Sequence, residues 1–430
     1  MKKILTITLI SLFLIAATFA QEKLTLQKVI QIALEKNIDV ISANYFSQKQ
    51  SSTVTTAVGS FIPTVSASAN VGRSGSTITN YANGNAGAGI DASLTLFDGF
   101  RNTSTLSKAN ASSDAAEYDF QKQKQDIVLA VEKAYLTILR NEQLLKVSQD
   151  NLKSSQQQLS RFEEQNKVGA VAKADVYRQQ YQTAKDELAV INAQSDYDNS
   201  KFNLLYLISV DVDKEYNFSD ETVIEQINRL NLDSLQQEYS DYNKLVQEAL
   251  ASRPDYQSSI LNKQIAESNL TIARGGHYPR LSAGAGYDLG GTDLESIGVT
   301  KGWNVGLSLS VPLFSGFQTS TAVQTSQLDL QLAESSVEQA KRKVGKDVKS
   351  ALLNLETARK LYEVTLKSVK SAEEDRRIAE ERYNLGANTL LDLLTATYNY
   401  TQAQSDLVNS TYDFVFAKFQ FRIIVGREKF

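Results

Sequence analysis

The sequence contains no cysteine and only one histidine in 430 residues. The absence of cysteine excludes disulfide scaffolds, thiol nucleophiles, zinc–thiolate sites and iron–sulfur clusters. A single histidine does not build a His-rich metal site. The formal charge of −4 lacks the basic excess typical of nucleic-acid-binding proteins. We therefore expect no metal, no cofactor, no nucleic-acid partner and no enzymatic activity, with a hydrolase that uses carboxylates alone as the remaining enzyme class.

Long apolar runs are absent after the first twenty residues. Lys2 and Lys3 precede an apolar run over 4–17, and 18–20 supplies the small residues of a cleavage site. This order predicts a signal peptide over 1–20 and an exported protein. Because no later run of eighteen apolar residues occurs, a membrane span in the rest of the chain would have to be a β-barrel.

Matching residues recur along the chain at a nearly constant offset of 216 or 217 positions. The pairs are Asp39 and Asp255, Pro63 and Pro279, Gly99 and Gly316, Gly169 and Gly386, and Asp175 and Asp392. An offset maintained over this length predicts a tandem duplication, with a first repeat over 21–208 and a second over 244–430. The intervening segment 209–243 carries nine acidic residues against Lys214 and Arg229, which is typical of a solvated acidic linker.

Two segments in each repeat alternate apolar and small polar residues with a period of two. They cover 61–71 and 86–96 in the first repeat, and 281–289 and 303–313 in the second. Membrane β-strands show this pattern, with apolar residues toward lipid and polar residues toward a lumen, and soluble sandwich strands show it too. The smallest membrane barrels need about eight strands. A barrel made from four strands per chain therefore requires at least two copies.

The rest of each repeat has the pattern of long helices. The segment 101–168 contains neither glycine nor proline, which allows a helix on the order of 100 Å long. Apolar residues recur every seven positions at Val131, Ile138, Leu145, Leu152 and Leu159, and again at Val348, Leu355, Tyr362 and Val369. Such heptads indicate helices that supercoil on their neighbours. Polar residues at other seam positions, Asn141, Ser148 and Ser155, predict a second face that stays wet.

The long helices are expected to turn back on themselves at two glycines. Gly169 and Gly386 interrupt the helical pattern at equivalent positions of the two repeats, and glycine is the usual residue just after a helix end. The segments 170–207 and 387–425 are then the predicted returning helices.

Four short motifs resemble the TolC-type outer-membrane efflux protein family. Two of them lie in the first repeat, and the other two follow in the same order and at the same spacing in the second repeat. They are "FDGF" at Phe97, "LFSGF" at Leu313, "NKVGAVAKADV" at Asn166 and "RYNLGANTLLDLL" at Arg382. The resemblance covers essentially the whole mature chain. It implies a mixed α and β membrane protein: a homotrimer with a transmembrane β-barrel shared between protomers, four strands per chain, and a long coiled-coil α-helical barrel. It also implies an outer-membrane location that extends into the periplasm of a Gram-negative bacterium.

The same resemblance implies a channel-tunnel that serves as the exit duct of a tripartite efflux or type I secretion system. The implied partners are two further copies of the chain, a periplasmic adaptor (membrane fusion) protein, an inner-membrane transporter and outer-membrane lipid. Drugs, metal ions and secreted proteins all remain candidate cargoes, because the pump selects the cargo. An exported coiled-coil scaffold or adhesin without a pore is the alternative; it would share the heptads but has no need for amphipathic strands.

The resemblance places a pore constriction at the periplasmic end. Tyr383 matches the family's constriction tyrosine, Asp175 its acidic partner on the neighbouring hairpin, and Asp392 the first of two pore-lining aspartates. Thr395 stands in place of the second aspartate and Asn388 in place of a gate arginine, so a reduced salt-bridge network is expected. Asp175 and Asp392 also lie near predicted helix N-termini, where a carboxylate stabilises the helix dipole. Capping is therefore an alternative role for both aspartates.

The turns between the long helices are the predicted surface for adaptor docking. They consist of small and apolar residues: Val168, Gly169, Ala170 and Val171 in the first turn, and Leu385, Gly386 and Ala387 in the second. Exposed apolar side chains at the end of a helical hairpin favour contact with a partner. We expect partner helices to pack end-on against these turns.

Overall fold

The computed structural model describes residues 22–76, 81–214, 216–219 and 241–428. The predicted signal peptide and most of the predicted linker lie outside these ranges. The described residues have a mixed α and β fold in which helices predominate. Among them, no helix is both long enough and apolar enough to cross a membrane.

The order of elements in the described chain repeats: two helices, two strands, a very long helix and a returning helix. The helices are α1 (Leu26–Lys36), α2 (Ile38–Gly59), α3 (Arg101–Lys167), α4 (Lys173–Leu207), α5 (Tyr242–Ser252), α6 (Pro254–Gly275), α7 (Gln318–Asn384) and α8 (Leu390–Val425). The strands are β1 (Glu22–Lys23), β2 (Thr64–Ser76), β3 (Tyr81–Phe97), β4 (Tyr216–Asn217), β5 (Arg280–Gly291) and β6 (Thr300–Ser310).

The chain divides into two compact units, and each takes segments from both halves of the sequence. The hairpin unit draws its described residues from Met1–Val40, Lys124–Leu245 and Val348–Lys429. The sheet unit consists of Ile41–Gln123 and Val246–Asp347. Helices α3 and α7 contribute residues to both units.

A four-stranded antiparallel sheet in the order β2-β3-β5-β6 is the centre of the sheet unit. Its register aligns apolar residues in rows, one of which is Ala67, Ile90, Tyr287 and Trp303. The adjacent row is Ser66, Asp91, Gly286 and Asn304. Because paired residues in an antiparallel sheet lie on the same face, one face is apolar and the other is small and polar, as the alternation predicted.

Prolines decide where the outer strands begin and end. β2 begins at Thr64, directly after Pro63, and β6 ends at Ser310, two residues before Pro312. The sequence interpretation extended these strands to Phe61 and Leu313, which was wrong, since proline lacks the N–H needed to continue a ladder. In the other direction, β2 and β3 are longer than predicted, with 13 and 17 residues.

The long helices follow the prediction closely. α3 and α7 each contain 67 residues, about 100 Å at 1.5 Å per residue. Of the heptad residues, Val131, Ile138 and Val348 are completely buried within the hairpin unit. The returning helices α4 and α8 begin three residues later than predicted, because the turn after each glycine occupies those residues.

Candidate functional site

The two turns that join the long helices have the same backbone geometry. In the first, Gly169 has a φ angle of +78°. The Gly169 N–H donates to the Asn166 carbonyl at 3.0 Å, and the Ala170 N–H donates to the Gln165 carbonyl at 2.8 Å. This pair of bonds is the Schellman motif, in which a residue with positive φ satisfies the last carbonyls of a helix.

The second turn repeats this arrangement at the end of α7. Gly386 has a φ angle of +73°. Its N–H donates to the Tyr383 carbonyl at 2.9 Å, and the Ala387 N–H donates to the Arg382 carbonyl at 2.8 Å. The two predicted turns are therefore present, and both glycines adopt the left-handed conformation that favours glycine.

Both turns are open to their surroundings within the described chain. Val168 is 79% exposed and Leu385 is 83% exposed. A Cβ atom built on Gly169 or on Gly386 meets no atom within 4 Å. An apolar side chain next to an unobstructed glycine is thus presented at the end of each hairpin.

Tyr383 packs between the two helical hairpins of the hairpin unit. Its ring lies 5.6 Å from the ring of Phe162, centroid to centroid, at an interplanar angle of 38°. Phe162 forms a buried cluster with Val176 and Leu390, so that α3, α4, α7 and α8 all contribute to this contact. Tyr383 also packs against a second buried cluster around Leu393. The side chain that the resemblance selects therefore links both hairpins.

Asp175 lies in the first turn of α4, close to Tyr383. Burial raises the pKa of the Tyr383 hydroxyl, and the negative charge of Asp175 raises it further. Asp175 also accepts a hydrogen bond from Arg178 at 2.8 Å. The structure therefore brings Tyr383 and Asp175 together, and it provides Asp175 with a cationic neighbour that is mostly exposed.

Asp392 forms a capping box at the start of α8. Its carboxylate accepts a hydrogen bond from the Thr389 N–H at 2.9 Å, while the Thr389 hydroxyl oxygen accepts one from the Asp392 N–H at 3.3 Å. The hydrogen bonds from Thr389 lower the pKa of Asp392. Reciprocal capping of this kind satisfies N–H groups that the helix leaves without partners. Within one chain, Asp392 therefore acts as a helix-capping residue, which is the alternative role considered for it above.

Thr395 and Asn388 flank this capping box. Thr395 is exposed one turn further along α8, and its hydroxyl donates to the Leu391 carbonyl at 2.8 Å. Asn388 is half-buried in the turn before the helix. Asp392 and Thr395 are therefore both exposed within the described chain, on successive turns of α8.

The sequence interpretation did not select Phe162 as the partner of Tyr383. The heptads do place Phe162 on the seam, three residues after Leu159, but a seam position does not identify the residue that it contacts. The sequence analysis also predicted that Ser155 lies on a solvent-exposed helix face, and this prediction is wrong. Ser155 is buried, and its hydroxyl lies 3.0 Å from the hydroxyl of Thr183.

The fold is that of an outer-membrane channel protein. The Campylobacter jejuni CmeC outer membrane channel superimposes with a TM-score of 0.80 at 19% identity, covering 93% of this chain and 85% of CmeC. Two curated relatives agree in sequence. Outer membrane protein TolC of Vibrio cholerae is 26% identical over 361 residues, 79% of this chain and 76% of the relative. Outer membrane efflux protein BepC of Brucella suis is 23% identical over 412 residues, covering 94% and 85% of the two chains.

A family model described as outer membrane efflux protein matches residues 29–209 and 245–427. The chain therefore belongs to the outer membrane efflux protein family. The predicted resemblance and the outer-membrane location in a Gram-negative bacterium are confirmed. This is a family of channels rather than of enzymes.

Proposed function

We propose that this protein is a homotrimeric channel-tunnel of the outer membrane that serves as the exit duct of a tripartite efflux or type I secretion system. Membership of the outer membrane efflux protein family supports export as the function. The four-stranded sheet supports assembly from several copies, and the number three is the one that the family resemblance implies. We also propose that the two repeats, 21–208 and 244–430, arose by tandem duplication, and that 209–243 is the acidic linker between them.

The two outer strands of the sheet supply the argument for assembly. Among the described strands, β2 pairs only with β3 and β6 pairs only with β5. Inside a bilayer, each unpaired backbone N–H or carbonyl costs several kcal/mol, so open edges do not occur there. Pairing of β6 in one copy with β2 in the next closes the sheet. One copy has too few strands for a closed barrel, and three copies are the number that the family resemblance implies.

The apolar face of the sheet is suited to contact with lipid. Along β6, Trp303 is 78% exposed, and Val305, Leu307 and Leu309 are similarly exposed. An exposed apolar row of this length is typical of the lipid-facing side of a membrane barrel. We therefore assign this face to outer-membrane lipid and the row of Ser66, Asp91 and Asn304 to the lumen.

Helix α4 supports lateral contact between copies. It exposes large apolar side chains at Tyr177, Tyr181, Leu188, Ile191 and Phe202, each at least half exposed. They are separated in turn by four, seven, three and eleven residues, and since eleven is seven plus four, these spacings follow a coiled-coil seam. We propose that helices of the neighbouring copy cover this seam and complete an α-helical barrel.

We propose that Asp175, Tyr383, Asn388, Asp392 and Thr395 form the pore constriction. The contact of Tyr383 with Phe162 supports this role, because it holds the two hairpins of one chain together. The exposed position of Asp392 and Thr395 on successive turns supports a polar ring. Closure then depends on how tightly the hairpins pack.

We propose that the two tip turns dock a periplasmic adaptor, which links the duct to an inner-membrane transporter. The exposed side chains of Val168 and Leu385 and the open space at Gly169 and Gly386 support this contact. Ala170, Val171 and Ala387 complete the proposed surface.

A disulfide scan tests closure of the barrel directly, because the chain has no native cysteine. Ser66→Cys in β2 is combined with cysteine at Asn304, Gly306 or Ser308 in β6. At least one pair should give dimers and trimers on a non-reducing gel after oxidation in membranes. Thr64→Cys with Ser93→Cys is the matched control, since these hydroxyls lie 2.8 Å apart within one chain. The control pair should give no intermolecular species, and monomers alone for every edge pair would contradict the assembly.

A transport assay tests the duct. The gene is deleted in its native host, and accumulation of a fluorescent drug, sensitivity to metal ions and secretion of proteins are compared with the parent strain. Export of at least one class should fall and return on complementation. An exported scaffold without a pore predicts no change in any of the three assays.

A pull-down with the wild-type protein should recover a periplasmic adaptor that binds at the two tip turns. A scaffold without a pore should recover none.

A further inference from the structure

The sheet unit contains two turns that lead from a strand into a long helix, and both have the same backbone shape. We call 97–100, at the end of β3, the first aromatic turn and 314–317, after β6, the second aromatic turn. In the first, Gly99 and Phe100 have φ angles of +72° and +68°. In the second, Gly316 and Phe317 have φ angles of +58° and +67°. A phenylalanine with positive φ is uncommon, so its occurrence in both turns shows that one local structure is built twice.

Each aromatic turn also holds two phenylalanine rings in an edge-to-face arrangement. The centroids of Phe97 and Phe100 are 5.5 Å apart, at an interplanar angle of 85°. Those of Phe314 and Phe317 are 5.5 Å apart, at an angle of 86°. Edge-to-face packing is a favoured geometry for aromatic pairs. The two turns therefore agree in their side chains as well as in their backbone.

The helices that precede β2 and β5 also end alike. After α6, the N–H groups of 276–278 donate to the carbonyls of 273–275 at 3.0 to 3.1 Å. After α2, the N–H groups of 60–62 donate to the carbonyls of 57–59 at 3.0 to 3.3 Å. Each donor bonds to the carbonyl three positions before it in both cases. Gly59 and Ile62 thus occupy the same places at the end of α2 as Gly275 and Tyr278 do at the end of α6.

The end of α6 covers the first aromatic turn. Gly99 and Gly275 are both buried. A Cβ atom built on Gly99 would lie 2.7 Å from the Gly275 carbonyl oxygen and 2.7 Å from the Cβ of Tyr278. The ring of Tyr278 also meets that of Phe100 edge to face, with 6.4 Å between the centroids. Both backbones approach so closely that only glycine leaves enough space.

The second aromatic turn and the end of α2 have no such cover within the described chain. Gly316 and Gly59 are both exposed, and a Cβ atom built on either meets no atom within 4 Å. Phe317 is 72% exposed and Ile62 is 58% exposed. Gly59 does not have a positive φ angle, so its backbone conformation does not require glycine. Contacts within the described chain therefore leave the glycine at this position unexplained.

The order of strands in the sheet identifies the missing cover. β3 ends in the first aromatic turn, and its antiparallel neighbour β5 begins just after α6. This pairing brings the turn and the end of α6 together. β6 leads into the second aromatic turn, and β2 begins just after α2. Because β6 and β2 are the outer strands, antiparallel pairing between neighbouring copies brings the second aromatic turn to the end of α2 in the same way.

We propose that the second aromatic turn of one copy packs on the end of α2 in the next copy, with Gly316 against Gly59 and Phe317 against Ile62. The inference rests on the proposed assembly and adds the contact that joins the long helix of one copy to a shorter helix of the next. Lipid could cover the exposed rings, but fluid lipid chains do not require a glycine at position 59. A close approach of two backbones does require it, as Gly275 shows.

Chemical crosslinking of the full chain in membranes tests the contact, because the protein has no native cysteine. Ile62→Cys is combined with Phe317→Cys, and the protein is treated with a short bismaleimide. Covalent dimers and trimers should appear on a denaturing gel, and neither single variant should give them. Phe100→Cys with Tyr278→Cys is the matched control, since it places the same pair within one chain. It should be crosslinked internally and remain a monomer on the gel.

A bulky side chain at Gly59 tests the close approach itself. Gly59→Leu has room within its own chain, but it should lower the yield of the Ile62–Phe317 crosslink at least tenfold. Val58→Leu is its control. Arg274, the counterpart of Val58 on α6, stays exposed beside the covered glycine, so Val58→Leu should leave the yield as it is.

Native mass spectrometry of the same proteins separates this contact from the assembly. Particles of three chains in which the Ile62–Phe317 pair gives only monomers would retain the assembly and overturn the contact, and lipid would then cover the second aromatic turn. Unchanged crosslinking in Gly59→Leu would overturn it too, because the glycine would have no part in the contact. Particles of one chain would refute the assembly and the contact together.

Discussion

Gly169 and Gly386 combine positive φ angles with open surroundings, which separates two effects of substitution. Alanine at Gly169 strains only the backbone, at a cost of about 1–2 kcal/mol, because its Cβ meets no atom within 4 Å. Tryptophan adds bulk at the proposed docking surface. We expect Gly169→Ala to lower the unfolding temperature slightly and retain export, and Gly169→Trp to abolish export while the trimer remains in the membrane.

The same pair of substitutions at Gly386 provides an independent test. Loss of export in both alanine variants would assign the glycines to the turn conformation alone. Normal export in both tryptophan variants would remove the docking proposal.

Asp392 has two candidate roles that conductance can separate. The Asp392 carboxylate is charged at neutral pH. Because its pKa is lowered, its contribution to the cap is lost only as the pH falls below the ordinary value of 3.8. Three such charges around a pore would favour cations. In planar bilayers, Asp392→Ala should weaken cation preference, and Thr395→Asp should strengthen block by divalent cations.

Thr389→Val is the control for these recordings, because it disrupts the capping box and retains the charge. It should lower stability but preserve selectivity. If Asp392→Ala and Thr395→Asp both record as wild type, the capping box is the whole role of Asp392.

Glu132 makes the stability of the hairpin unit depend on pH. Its pKa is raised from 4.5 to about 8, chiefly by burial and also by the negative charge of the nearby Glu428, whereas Arg422 opposes the shift. The folded state therefore binds more protons than the unfolded state between these values, so stability falls as the pH rises from about 4.5 to about 8. Glu132→Gln removes this dependence and should raise the unfolding temperature at pH 8 more than at pH 5.

The exposed Glu164 provides the control for this experiment. Glu164→Gln should leave the difference between pH 5 and pH 8 as it is in wild type. An equal change at both pH values in Glu132→Gln would show that the pKa of Glu132 is not raised in the folded state.

At the level of helices, the contact between Phe162 and Tyr383 holds the two hairpins together. Phe162 is fully buried, and a Phe→Ala change in such a site costs about 3–5 kcal/mol. We expect Phe162→Ala to lower the unfolding temperature and to raise single-channel conductance, because the hairpins separate more easily. Tyr383→Phe keeps the ring contact and serves as the control, which should keep wild-type stability.

The conductance of Tyr383→Phe is informative in itself. A conductance equal to that of wild type would assign closure to the aromatic contact alone. A rise would show that the hydroxyl next to Asp175 contributes. No rise in Phe162→Ala would contradict the role of this contact in closure.

At the level of the whole molecule, the open edges of the sheet predict a stable oligomer. The detergent-extracted protein should have the mass of three chains by native mass spectrometry and should retain its β content. Each backbone group at the edges then has a partner, as a bilayer requires. A monodisperse monomer with its full β content would refute this assembly.

The amino-acid sequence by itself determined the order of the four sheet strands, the two long helices and the two returning helices. Alternation predicted the four strands, heptads such as Val131 and Ile138 predicted the long helices, and Gly169 and Gly386 predicted the turns. These features depend on neighbours a few positions apart, so they can be recognised from the sequence alone. Pro63 and Pro312 mark the start of β2 and the end of β6, so these two strand ends also depend on local sequence.

Only the tertiary structure decided which side chains meet between helices. It buried Ser155 beside Thr183 and packed the ring of Phe162 against that of Tyr383. These residues lie far apart in the chain, and their contacts depend on the rotation and register of four helices at once. A heptad specifies that a seam exists but not which partner it receives. For this reason the residues of the proposed constriction could be selected only by resemblance.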